Sequence, residues 1–232
     1  MTLFTDKVPL LVSIVFMVAF AFPITLVSSL VKGTSLHKQR KYIGSFYGGY
    51  LLLVSILCLY GVFDVVSLPP RIIVVTTLPL LAFYLLLIAN TPFYRTFWRE
   101  VPLARLIRVH IFRLLGSFFL ILYFFEQLPL IFALVAGLGD LITATSSLWV
   151  AKALQQQRKY AKTAVLVWNT FGLLDIFATS TLAILFTKQR IATGSLGVDI
   201  LGAFPFCFIP AFAPATIIFL HLTIYRKVFY EK

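Results

Sequence analysis

Seven apolar runs, each about as long as a bilayer is thick, set the limits on what this chain can fold into. They fall at about 8–31, 42–63, 72–90, 102–125, 128–154, 163–186 and 200–225. A helix needs roughly 20 apolar residues to cross a hydrocarbon core about 30 Å thick. With no water in that core, only helices and closed barrels satisfy their own backbone groups. The runs are continuous rather than alternating, which selects helices. The sequence therefore predicts an all-α membrane bundle of seven spans forming a single domain over residues 1–232. The composition agrees: 60% of residues are hydrophobic and 12% charged, against about 45–50% and 25% in soluble domains.

The formal net charge of +12 would suggest nucleic acid in a soluble protein. Here the positive charges sit between apolar runs, so they report orientation instead and nucleic acid is set aside. The connections after spans one, three and five, with the C-terminal tail, hold 15 of the 20 Lys and Arg. The opposite side holds 4, and Arg113 lies within a span. This bias places the N-terminus outside and the C-terminus in the cytoplasm. Only Lys7 precedes the first run, and that run is too long for a signal-peptide core.

Local signals fill in the outline. Pro23 is expected to disturb the first span. Gly44-x-x-x-Gly48 in the second is a small-residue pair that permits close helix approach. Pro69-Pro70 ends the following turn. Residues 91–101 alternate aromatics with arginines, the pattern of an interfacial segment at headgroup depth. Pro205, Pro210 and Pro214 are expected to break the last span and free backbone groups, as in the broken helices of transporters. Cys58 and Cys207 have no paired spacing and read as small buried hydrophobes. His37 lies in a basic loop and reads as a solvated side chain.

The informative residues are the ionisable ones inside the spans. A charge at bilayer depth costs about 2.5–3.5 kcal/mol on insertion scales, so such groups face the bundle interior and have partners. Asp140 lies about midway between Pro129 and Lys152, and Asp175 midway between Lys162 and Lys188. Both are near the midplane, roughly 18 Å from either edge. Arg113 lies on the cytoplasmic side of the midplane. His110 and His221 sit nearer that edge, at similar depth on different spans. Helical spacing puts His110, Arg113, Gly116 and Ser117 on one face. Ala133, Ala136, Gly137, Asp140, Thr143 and Ser147 share another, and Trp168, Gly172, Asp175 and Thr179 a third, with Asn169 beside them. Gly137-x-x-Asp140 and Gly172-x-x-Asp175 repeat a short pattern on antiparallel spans.

Three motifs, Phe112-Arg113-x-x-Gly116, Leu128-Pro129-x-x-Phe132-Ala133-x-x-Ala136-Gly137-x-Gly139-Asp140 and Trp168-Asn169-x-x-Gly172-x-x-Asp175, resemble those of uncharacterised polytopic bacterial inner-membrane proteins of this size. The proline-rich last span ending in Leu220-His221 is similar too. The resemblance covers about 108–221. It implies a bacterial inner-membrane location and carries no activity.

Three functional readings follow. In the first, Arg113 pairs with Asp140 or Asp175 in a purely structural network. In the second, the polar core of Arg113, Asp140, Asp175, His110, Trp168 and Asn169 serves proton-coupled or small-solute transport. Asp140 and Asp175 then exchange a proton or cation, Arg113 is their counter-charge and His110 a relay. In the third, His110 and His221 ligate a haem, or hold a divalent metal with Asp140 or Asp175. No cofactor is required by any motif. No G-x-S-x-G, phosphate loop or kinase signature occurs, so the sequence leans away from an enzyme and leaves the question open. The last span has no lysine before Lys227, which removes a retinal site. The expected partner is the lipid bilayer. Self-association or a place in a larger complex is left open by the small-residue faces and by intramembrane charge, which also pairs between subunits.

Overall fold

The computed structural model describes residues 4–230. Seven helices are long and apolar enough to cross a membrane: Leu10–Ser29, His37–Leu59, Ile73–Asn90, Leu103–Phe124, Leu130–Gln155, Ala161–Thr193 and Phe208–Tyr230. An eighth, Pro92–Glu100, is the short segment after the third span. No strand forms among the described residues. The outward faces carry large apolar side chains such as Leu11, Val18, Leu86 and Trp149, each more than two-thirds exposed. A soluble fold would hide such a surface, whereas a bilayer covers it. The chain is a multi-pass membrane helix bundle.

The fourth, fifth and sixth spans pack together most extensively, and the seventh closes against the sixth. The fourth and seventh are the most enclosed. Contacts define the two ends of the bundle. At one end Thr5 N–H donates to Phe204 O, which brings the N-terminal segment to the connection before the last span. At the other, Ser35 meets Glu100, Arg105 donates to the carbonyls of Leu30 and Lys32, and Arg108 donates to Gln155. Lys227 Nζ donates to Trp98 O and Arg99 O at 2.7 and 3.1 Å. Those two carbonyls end the Pro92–Glu100 helix, where a cation also meets the negative end of the helix dipole. Thr91 caps the start of that helix, accepting from Tyr94 N–H at 3.2 Å. The Arg226 guanidinium lies 5.0 Å from the Trp98 ring. The interfacial segment expected at 91–101 is thus a capped amphipathic helix.

Several boundaries differ from those read in the sequence. The second span ends at Leu59 rather than residue 63, because the chain reverses through Gly61 at φ 71°. The sixth runs on to Thr193 through Lys188, Gln189 and Arg190, and stops only at Gly194, φ 71°, whose N–H returns to Arg190 O. At 1.5 Å per residue its 33 residues span about 50 Å, more than the hydrocarbon core, so its last turns stand clear of it. The last helix begins at Phe208 rather than residue 200, after a short 3₁₀ turn over Asp199–Gly202. It continues past Arg226 and Lys227. A Cβ at Gly44 or Gly48 would meet nothing within 4 Å among the described residues, so no described helix uses the close approach that this pair permits.

Inside the spans the regular α pattern breaks where prolines and polar residues demand it. The first span is two helices, Leu10–Ala19 and Ala21–Ser29. The break falls at Phe20, just after Ala19, whose carbonyl receives no hydrogen bond from the ring nitrogen of Pro23 four residues on. The fourth is α-helical over Leu103–Arg108, tightens to 3₁₀ over Val109–Gly116 and resumes over Ser117–Phe124. Side chains three apart eclipse in a 3₁₀ helix. His110, Arg113 and Gly116 therefore line up in one row.

Candidate functional site

That row faces the fifth and sixth spans. Arg113 is buried, with a fully enclosed side chain. Its Nε donates to Asp140 Oδ1 at 2.6 Å and its Nη2 to Asp175 Oδ2. Its Nη1 donates to Gly172 O at 3.1 Å and faces His221 Nε2 at 3.4 Å. One guanidinium thus joins the fourth, fifth, sixth and seventh spans. The sequence left Arg113 a choice between two aspartates, and the structure gives it both. The repeated Gly-x-x-Asp pattern supplies one carboxylate from each side.

Glycines make the approach possible. A Cβ at Gly116 would lie 2.3 Å from Asp140 Cβ, one at Gly139 1.7 Å from Asp175 Oδ1, and one at Gly172 2.7 Å from the His221 ring. These distances are far inside van der Waals contact. Gly116, Gly139 and Gly172 thus leave room for the Asp140, Asp175 and His221 side chains.

Asn169 fixes the state of His221. Its Nδ2 donates to His221 O at 3.1 Å, so its Oδ1 is the acceptor facing His221 Nδ1 at 2.7 Å. His221 Nδ1 then carries the proton, and Nε2 is left to accept from Arg113. The histidine is neutral. Trp168 Nε1 donates to Thr143 O at 3.0 Å. His110 packs against both, its ring centroid 4.3 Å from His221 and 5.1 Å from Trp168. Neither His110 ring nitrogen has a hydrogen-bond partner among the described residues, although the side chain is fully buried.

The two histidine rings touch each other. An arrangement with a haem between them requires the rings to part. Among the described residues no three His, Cys, Asp or Glu side chains gather as a metal site.

A void of about 20 Å³ borders Arg113 and Asp140 directly, beside Phe20, Pro23 and Phe112, and two further cavities lie toward the end of the bundle that carries the N-terminal segment. A cavity of about 460 Å³ opens there, lined by charged groups including Asp6, Lys7, Asp64, Arg71 and Asp199. A smaller one of about 70 Å³ lies deeper and is bordered by Asp140, Thr77, Thr179 and Ser180. Ile73, Ala183, Leu201 and Pro210 belong to the walls of both. At the opposite end a groove of about 310 Å³ is apolar and borders none of the charged residues. His110, Trp168 and His221 line neither that groove nor the two cavities at the other end.

The proline-rich last span differs from its expected role. Pro205 precedes the helix and Pro210 lies in its first turn, where no N–H is needed. Only Pro214 interrupts the ladder. It leaves the Pro210 carbonyl without its helical donor, and Thr77 Oγ1 supplies one at 2.6 Å. Tyr50 Oη donates toward Ala211 O at 3.0 Å and Thr76 O at 3.1 Å. Tyr84 Oη pairs with Tyr47 Oη at 2.7 Å and with Thr216 Oγ1 at 3.3 Å. The break is stitched to the second and third spans rather than left open. Hydroxyls on otherwise apolar helices were the available signal for this, and the sequence reading did not use them.

A family model described as a domain of unknown function, DUF8737, matches residues 69–229, more than half of the chain. The chain belongs to this family. The DUF8737 match takes in Arg113, Asp140, Asp175, Asn169 and His221 and leaves out the first two spans. No curated protein and no solved structure matches the chain.

Proposed function

We propose that this DUF8737 member exchanges a proton or a small monovalent cation across the membrane, using the cluster of Arg113, Asp140 and Asp175. The charge count carries the reading. One guanidinium faces two carboxylates, and the nearest histidine, His221, is neutral by its hydrogen bonds. Both carboxylates ionised leave one negative charge uncompensated. Burying an unbalanced charge costs several kcal/mol, so the cluster calls for one mobile positive charge. A self-contained structural pair would have used one aspartate.

Supporting this reading, the cavity at the N-terminal end shares Ile73, Ala183, Leu201 and Pro210 with the smaller one that borders Asp140, while the histidines and Trp168 are buried and line neither. The Lys and Arg bias makes the open end extracytoplasmic and the C-terminus cytoplasmic, and the motif resemblance fits a bacterial inner membrane. In this account Asp140 and Asp175 take the ion in turn, Arg113 prevents both negative charges from standing alone, and His110 is the residue next in line toward the other end.

A second reading takes the cluster as packing alone. The observation that favours it is that every guanidinium nitrogen of Arg113 is engaged, joining four spans. The two readings part on Asp140→Asn and Asp175→Asn. Either substitution leaves one aspartate on Arg113, a balanced pair, so the bundle is expected to stay folded. In proteoliposomes under a pH or sodium gradient, the wild type is expected to dissipate the gradient and both variants to fail. A wild type that moves neither ion, or variants that move it equally well, would favour packing alone.

A further inference from the structure

The apolar groove at the basic end of the bundle stands apart from the charge cluster and has a ligand chemistry of its own. We propose that it holds one anionic membrane phospholipid, with an acyl chain along its aromatic walls and the headgroup on the basic residues at its mouth.

Val27, Ile43, Phe83 and Phe219 bring the first, second, third and last spans to the walls, and Phe97 brings the Pro92–Glu100 helix. On the second span the lining runs from Gln39 to Tyr47, about 12 Å at 1.5 Å per residue. Tyr42 and Phe46 belong to it and are exposed, so the groove opens on the outer surface that the bilayer covers. The hydroxyls along it are engaged within the protein. Tyr47 Oη pairs with Tyr84 Oη at 2.7 Å, Tyr84 Oη with Thr216 Oγ1 at 3.3 Å, and Tyr94 Oη with Thr223 Oγ1 at 3.1 Å. They leave ring faces to meet an occupant. Its volume of about 310 Å³ is about twice that of an apolar cavity of roughly 150 Å³ that stays dry and takes up benzene. In a bilayer the apolar molecule at hand is a lipid chain, and a chain in the groove restores the dispersion contacts that a void forfeits.

The mouth calls for negative charge. Lys38, Arg40 and Lys41 flank the lining residues Gln39 and Tyr42 in sequence, and Arg95 follows Tyr94 on the amphipathic helix. The Arg226 guanidinium lies 5.4 Å from the Tyr94 ring. None of these five cations has a carboxylate partner among the described residues. The carboxylate at this end, Glu100, is engaged by Ser35. Clusters of Lys and Arg at a membrane surface attract anionic headgroups. Gln39 adds an independent sign. It lines the groove at the basic end, and its Oε1 is buried with no hydrogen-bond partner among the described residues. A headgroup hydroxyl, or an ester carbonyl with the amide turned, would satisfy it.

The test is native mass spectrometry of the purified full-length protein in detergent, after incubation with phosphatidylglycerol or phosphatidylcholine. One phosphatidylglycerol is expected on each chain, bound at least about tenfold more tightly than phosphatidylcholine. Lys41→Gln and Arg226→Gln remove exposed charges from the rim. Each is expected to weaken phosphatidylglycerol about fivefold and to leave phosphatidylcholine unchanged. Ile43→Trp fills the groove and is expected to abolish the adduct, with Tm in lipid-free detergent equal to that of the wild type or higher. Equal binding of the two lipids, or phosphatidylglycerol held undiminished by folded Ile43→Trp, would overturn the site. So would wild-type chains that carry no lipid, as monomers or as dimers. Should Ile43→Trp not fold, the rim variants decide: phosphatidylglycerol bound by both as tightly as by the wild type would overturn the site.

Discussion

Gly139 on the fifth span lies so close to the Asp175 carboxylate on the sixth that a Cβ at Gly139 would stand 1.7 Å from Oδ1. Gly139→Ala must therefore push Asp175 away from Arg113. Breaking a buried ion pair costs about 3–5 kcal/mol. The expected outcome is a large fall in thermal stability and in yield of monodisperse protein. Gly48→Ala is the control, since its Cβ meets nothing within 4 Å. It should be neutral or stabilising by up to about 1 kcal/mol, as for any unstrained helical glycine. Equal effects from the two alanines would contradict the packing described.

Thr77 and Pro214 are coupled through the Pro210 carbonyl. Thr77→Val leaves that buried acceptor without a donor, at a cost of about 1–3 kcal/mol. In a Pro214→Ala background residue 214 regains its N–H, and the same Thr77→Val change should cost much less. A double-mutant cycle on unfolding free energies measures the difference. A coupling energy near zero would mean that Thr77 does not serve the proline break.

His110 is fully buried with both ring nitrogens unpartnered. An unsatisfied buried polar group is a cost that an apolar ring of similar shape avoids. His110→Phe is accordingly expected to hold or raise stability, by about 1 kcal/mol. If His110 belongs to the route, the same variant exchanges protons more slowly. Undiminished proton flux in a stable His110→Phe protein would remove it from the route.

At the basic end, Glu100 accepts from Ser35 N–H at 2.7 Å and Ser35 Oγ–H at 2.8 Å. The two hydrogen bonds hold its carboxyl below the ordinary value of 4.5. A depressed carboxylate stabilises the fold above its unfolded pKa and loses that contribution as pH falls through the folded value. The stability difference between wild type and Glu100→Gln should be constant at neutral pH and shrink as pH drops below about 4.5. A difference that grows on acidification would carry the wrong sign.

The fold was readable where lipid dictates it. Seven apolar runs became seven helices, and the ionisable residues within them became the core. What the apolar pattern could not report is detail inside runs that are hydrophobic all round. Helical spacing already put His110 and Arg113 on one face, but no periodicity marks the tightening to 3₁₀ over Val109–Gly116 or the pairing of Thr77 with Pro210. The sixth helix ran past its expected end because Lys188 and Arg190 interrupt hydrophobicity without interrupting helix, whereas Gly194 does end it. Gly44 and Gly48 carried a packing motif that no described residue meets, while the spacing alone did not say which side chains Gly139 and Gly172 admit. Their purpose depends on which helix lies opposite, and that is a tertiary fact.

The most direct test of the one-charge deficit is the charge displaced when sodium or protons are suddenly added to the reconstituted protein on a supported membrane. The wild type should give a transient current corresponding to about one charge entering each cluster, the number that balances two carboxylates against one guanidinium. Asp175→Asn makes the cluster neutral by itself and should give none. A current of equal size in Asp175→Asn, or no current from folded wild-type protein with either ion, would contradict the account.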